Sequence, residues 1–223
     1  MARRKLHDEY FKKAKDEGYL ARSAYKLIEI DDRFKVLAPG DRVLDLGCAP
    51  GSWLQVAAER VGERGRVVGI DLKRVNHAMP DNVLTEAMDI ADLDAAWARE
   101  TVGGRFDVIL SDMAPNTSGA PGSADHFRSI GLCERALDVA PAVLAPGGRL
   151  AMKAFEGEAL PELADRVRRM FAVLKHHKPQ ATRHMSREIY LVAAGFKGSK
   201  QTEAPPKRRP AGPPAPPAGW GGS

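Results

Sequence analysis

The sequence predicts an α/β fold, a doubly wound and mostly parallel seven-stranded sheet whose last strand is antiparallel. Three observations predict it. Short apolar runs of strand length alternate with stretches of helical periodicity from residue 42 onward, the pattern of a parallel sheet covered on both faces. The first run leads directly into a glycine-bearing turn, Asp45-Leu46-Gly47-Cys48-Ala49-Pro50-Gly51, and open α/β sheets form their ligand crevice at such strand ends. The 223 residues suit one domain, which buries roughly 70% of its unfolded surface without covalent staples.

The elements follow in order. RSAYKLIEIDDRFK (22–35) carries a helical stripe at Ala24, Leu27, Ile28 and Ile30, with Ser23 as a candidate start. Pro39-Gly40-Asp41 then breaks the chain before the first strand, RVLDLG. Further strands are RVVGID (66–71), VLTEA (83–87), FDVILSD (106–112) and RLAMKAF (149–155). The helices between them are SWLQVAAERVG (52–62), IADLDAAWARE (90–100) and FRSIGLCERALDVAPAVLAPGG (127–148). Pro141 in the last of these is expected to kink or split it. A helix over 158–171 and strands over 172–177 and 187–194 complete a domain spanning 1–198 that opens with a basic helix. Residues 199–223, rich in Pro, Gly and Ala, read as a disordered basic tail.

Charge is unevenly spread. Residues 1–26 carry a net +4, 27–160 a net −7, and 161–196 and 197–223 a net +4 each. An acidic body with basic ends suits a polyanionic partner, with surface lysines that merely confer solubility as the competing reading on charge alone. No stretch approaches the ~18 apolar residues of a membrane span, and the N-terminus lacks the apolar region of a secretory signal. Cys48 and Cys133 stand apart in no metal-ligand spacing. A cytoplasmic, monomeric protein without metal is expected.

Gly47 and Gly51 let the backbone turn tightly and approach a ligand closely. The G-x-G-x-x-G and GK[ST] patterns are missing, which counts against a dinucleotide or a phosphate loop. Asp71, ending the second strand, suits the two hydroxyls of an adenosine ribose. Asp89, after the third, is placed for an adenine amino group, with a helix N-terminal acid as the competing reading. Asp112 and Lys153 follow the apolar runs VIL and LAM at neighbouring strand ends, where a solvated charge is not expected.

Five segments, RSAYKL (22–27), DLGCAPGSW (45–53), SDMAPNTSG (111–119), MKAFEG (152–157) and SREIY (186–190), occur in the order in which they occur in the FtsJ family. The chain resembles these RNA 2′-O-ribose methyltransferases over about residues 18–196. The resemblance implies a Rossmann-like methyltransferase fold, S-adenosyl-L-methionine as cofactor, and a tetrad of Lys26, Asp112, Lys153 and Glu188. It also implies a uridine of the 23S ribosomal RNA A-loop as target, within the large ribosomal subunit. Gly51, Trp53, Asp71, Asp89 and Asp112 are the residues expected to bind the cofactor.

The chemistry needs those residue types. A sulfonium methyl is already electrophilic, so no metal is required, and the poor partner is the barely acidic ribose hydroxyl. A general base contributes ~10²–10⁴-fold, together with in-line alignment. Lys153 is the expected base, oriented by the carboxylates, while Lys26 steadies the substrate. Neither cysteine sits in the Pro-Cys turn of carbon-5 pyrimidine methylation, and Ser111-Asp112-Met113-Ala114-Pro115-Asn116 is not the turn of amino-group methylation. His176 and His177, with Lys175, Lys178 and Arg183, read as a basic edge facing RNA. Transfer RNA as substrate and a non-catalytic assembly factor are the competing functions.

Overall fold

The computed structural model describes residues 2–115, 123–182 and 186–198, with side chains from Glu9 onward except that of Ser123. The expected tail, 199–223, and Arg183 lie outside the described residues. The chain runs α1 (Ala2–Asp16), α2 (Ala24–Phe34), β1 (Arg42–Leu46), α3 (Ser52–Val61), β2 (Arg66–Asp71) and β3 (Val83–Ala87). It continues α4 (Ala95–Thr101), β4 (Phe106–Ser111), α5 (Ser123–Val143), β5 (Leu144–Phe155), α6 (Leu160–Met170), β6 (Phe171–His177) and β7 (Glu188–Phe196). One sheet forms in the order β3-β2-β1-β4-β5-β7-β6. Among the described residues, β7 alone runs against the direction of the other six strands, as the sequence predicts.

Strand alternation divides the core into two layers. Leu44, Leu46, Ile109, Leu150 and Met152 face α4, α5 and α6, while Val43, Val108, Leu110, Ala151 and Tyr190 face α2 and α3. The period of two therefore directs Asp45 and Lys153 toward the second layer, where α2 brings Lys26.

Three expectations change. The helix over 90–100 divides into a 3-10 turn, Ile90–Asp92, and α4. Two N-caps cause this: Asp89 accepts from the Ala91 amide and Asp94 from the Ala96 amide, each starting its own turn. The helix expected over 127–148 ends at Val143, two residues past Pro141, and Leu144 already opens β5. There Arg99 donates to the carbonyl of Ala142, and Arg105 to those of Pro141 and Leu144, satisfying acceptors that a helix end leaves open. Ser23 precedes α2 without a side-chain cap; its hydroxyl pairs with that of Ser52 at 2.8 Å. Among the described residues no helix is long and apolar enough to cross a membrane.

Candidate active site

The strand order reverses between β1 and β4, the place where such sheets bind ligands. A crevice of about 670 Å³ opens there, lined among others by Gly47, Ala49, Asp71, Asp89, Asp112 and Met113. Gly47 has a φ of +80°, and a Cβ on it would lie 2.6 Å from Met113 Cγ, so only glycine fits between the two walls. Asp71 accepts from the Ala49 amide at 3.0 Å through one oxygen and from the Lys73 amide at 2.8 Å through the other. Each oxygen keeps a lone pair for a ligand. Asp89 lines the crevice and also caps the 3-10 turn, as its reading as an N-terminal acid expects. Arg135 approaches it at 3.6 Å.

Asp45, at the end of β1, has no exposure, and among the described residues neither of its carboxylate oxygens has a hydrogen-bond partner. Burial, then the neighbouring Asp112 and Asp71, push its carboxyl well above the usual carboxylate range. A buried acid without a partner is costly, and a positively charged ligand would relieve it.

At the β4–β5 side of the crevice, Lys153 donates to both the carbonyl and Oδ1 of Asp112, at 2.7 and 2.9 Å. Lys26 meets Glu188 Oε2 at 2.6 Å. The antiparallel β7 makes this possible: Glu188 pairs with Phe155 and Tyr190 with Lys153, so the start of β7 lies beside the end of β5. Both ammonium groups are buried, and the two carboxylates are partly exposed. Burial raises the Asp112 pKa, but Lys153, Lys26 and the hydrogen bonds from Tyr190 and Lys153 outweigh it and hold the carboxyl below its ordinary value. The four expected residues thus form two ion pairs.

Tyr190 joins them, and sequence reasoning missed it. Its hydroxyl donates to Asp112 Oδ1 at 2.7 Å, and Lys26 Nζ stands 5.8 Å from its ring centroid. The signal was present, since a residue two beyond Glu188 in a strand points to the same face. Gly51 and Trp53 follow the crevice-lining Gly47 and Ala49 on the same turn, where α3 begins. Gly51, with a φ of +115°, would with a Cβ meet Met79 at 2.5 Å. Trp53 is buried, donates to the Ser23 carbonyl at 2.8 Å and packs on Tyr190, so it ties α3 to the start of α2.

The expected basic edge is only partly free. His177 pairs with Glu29 at 2.9 Å and Lys178 with Glu156 at 3.3 Å, whereas Lys175 and His176 are exposed.

A sequence profile of FtsJ-like methyltransferases matches residues 19–196. The ribosomal RNA large subunit methyltransferase E of Syntrophobacter fumaroxidans is 49% identical over 194 residues, covering 87% of this chain and 98% of its own. The protein of the same name from Desulforapulum autotrophicum is 47% identical over 190 residues, covering 85% and 93%. A crystal structure described as a ribosomal RNA methyltransferase from Plasmodium falciparum superposes with a TM-score of 0.72 at 30% identity, covering 81% of this chain and all of that one. With its crevice, its paired lysines and carboxylates, and a match across most of its length, this chain belongs to the FtsJ-like methyltransferase family.

Proposed function

We propose that the protein transfers a methyl group from S-adenosyl-L-methionine to the ribose 2′-hydroxyl of a uridine in the A-loop of 23S ribosomal RNA, on the large subunit. The observation that carries this reading is the buried Lys153–Asp112 pair at the crevice edge, 2.9 Å across, with Lys26–Glu188 beside it. The names borne by the relatives point to ribosomal RNA. We assign residues 1–198 to the methyltransferase domain, acting as a monomer in the cytoplasm.

The crevice fits the cofactor. Asp45, fully buried behind the lining, would complement its positive charge by giving up its proton; Asp71 suits the ribose hydroxyls and Asp89 the adenine amino group, while Gly47 leaves room for close approach. Once bound there, the cofactor supplies a methyl group on a positively charged sulfur. The protein's own task is the hydroxyl. To act as base, Lys153 must first release its ammonium proton to solvent; its Nζ then takes the 2′-hydroxyl proton, worth ~10²–10⁴-fold. Asp112 fixes the direction of Nζ through two contacts, and Lys26 and Glu188 hold the ribose in line.

Incubating the protein with radiolabelled S-adenosyl-L-methionine and large ribosomal subunits, then mapping ribose methylation, tests the proposal. Label at one uridine of 23S RNA is expected. Label on transfer RNA alone would overturn the ribosomal assignment, and RNA binding without turnover on any substrate would make the protein an assembly factor.

A further inference from the structure

Backbone pairing between β4 and β5 ends at Ser111 opposite Met152, while on the other side β5 stays paired with β7 out to Phe155 opposite Glu188. The last residues of β5, Lys153 to Phe155, therefore keep a strand on one flank and lose it on the other. Alternate residues of a strand send both backbone groups to the same side, so the Lys153 carbonyl and both groups of Phe155 face the place where β4 has turned away. Leaving such buried groups unpaired costs as much as a lost hydrogen bond.

Helix α5 fills the gap with side chains. His126, Ser129 and Cys133 lie on one face of it, spaced at i, i+3 and i+7, and all three are almost fully buried. Cys133 Sγ donates to the Lys153 carbonyl at 3.0 Å. The Phe155 amide donates to Ser129 Oγ at 3.1 Å. His126 Nε2 accepts from the Ala159 amide at 3.0 Å. A backbone amide can only donate, so the other nitrogen, Nδ1, carries the proton and donates to the Phe155 carbonyl at 2.9 Å. Gly157 completes the fit, because a Cβ there would meet the His126 ring at 2.6 Å. Burial, against the lowering effect of Lys153, pushes the Cys133 thiol up to about 12, so it stays a donor.

We infer that His126, Ser129 and Cys133 are positioning residues for Lys153, a side-chain surrogate strand that fixes the end of β5 and so aims the ammonium at Asp112. The inference rests on the reading of Lys153 as the base. Apolar side chains of similar size would fill the same space as well, so the polar stripe is explained by the backbone groups it meets. Its effect reaches the reacting atoms only through the β5 main chain.

The test compares the full-length wild type with Ser129→Ala/Cys133→Ala and with Cys133→Ser, at a temperature where each is shown by circular dichroism to be folded. Methyl transfer to large subunits is measured together with the cofactor Kd. In parallel, acylation of Lys153 by an amine-selective N-hydroxysuccinimide ester is followed by peptide mass spectrometry. The double variant is expected to lose about tenfold or more in kcat with KM and cofactor Kd within roughly twofold, since small misplacements of a catalytic group are costly. Its Lys153 should acylate roughly threefold faster as the ammonium loosens from Asp112. Cys133→Ser, which keeps a donor, should stay within about threefold of wild type in kcat. A double variant with wild-type kcat and unchanged acylation would overturn the inference, as would a Cys133→Ser variant as impaired as the double variant. If the wild type methylates no RNA, the proposed function falls, and the acylation rates still decide whether the stripe holds Lys153.

Discussion

Tyr190 donates to Asp112 Oδ1 at 2.7 Å, the same oxygen that holds Lys153 at 2.9 Å. Burial, reinforced by Asp112 and Glu188, holds its phenol well above its ordinary range, so the hydroxyl stays a donor. Tyr190→Phe keeps the ring under Lys26 and against Trp53 but removes the donor. Asp112 then has one fewer group fixing it. A fall in kcat of about tenfold is expected, with a stability loss of about 1 kcal/mol, the typical worth of one hydrogen bond. Single-turnover rates and thermal unfolding check both; an unchanged rate would reduce Tyr190 to a packing role.

The two lysines should fail differently. Lys153→Ala removes the proton acceptor and is expected to lower kcat by at least ~10²-fold, with cofactor affinity nearly intact because the crevice floor is untouched. Lys26→Ala leaves Glu188 without the cation now 2.6 Å away and is expected to raise KM for RNA more than it lowers kcat. Steady-state kinetics with cofactor titration separate the two. Appreciable turnover by Lys153→Ala would remove it from the role of base.

The strand ends were readable in the sequence because parallel strands appear as apolar runs, and Asp112 and Lys153 interrupt or follow such runs. The antiparallel β7 was readable only as an expectation, yet it is what brings Glu188 beside Phe155. Tyr190 escaped because a tyrosine inside an apolar strand looks like core. Asp45 escaped because its meaning lies in the lack of a partner, which only packing reveals. The division of 90–100 turned on Asp94, whose capping role depends on local backbone angles rather than on periodicity. The hydrogen bond of the Trp53 indole to the Ser23 carbonyl was not legible either, because it joins segments 30 residues apart.

Asp45 sets up an exchange between stability and binding. Its folded-state pKa is raised, so the folded cofactor-free protein binds the proton more tightly than the unfolded chain does. That contribution to stability is complete below the unfolded value, ~3.9, and is lost as pH rises through the raised folded value. Asp45→Asn cannot ionise. It is expected to stabilise the cofactor-free protein on the alkaline side by about 1 kcal/mol, or ~2–4 °C in Tm, and to flatten the pH profile. Cofactor affinity should fall in the same variant, as for residues kept at a cost for function. Thermal unfolding from acid to alkaline pH, with and without cofactor, reads both effects; a variant binding cofactor like wild type would exclude Asp45 from the site.

Gly131 sits inside α5, between Ser129 and Cys133 of the stripe that meets β5. A Cβ on it would find nothing within 4 Å, and its φ is not positive. The glycine is therefore neither packed against a neighbour nor needed for a turn. In a helix interior it costs about 0.5–1 kcal/mol relative to alanine through backbone entropy. Gly131→Ala should recover that amount, a rise in Tm of ~1–4 °C for a chain of this length, with kcat unchanged because the new methyl group points away from the stripe. Calorimetry and methyl-transfer assays on the same preparation test this. A lower Tm would mean that the added methyl group meets a neighbour and is not accommodated, and a lower kcat would tie Gly131 to the stripe beside it.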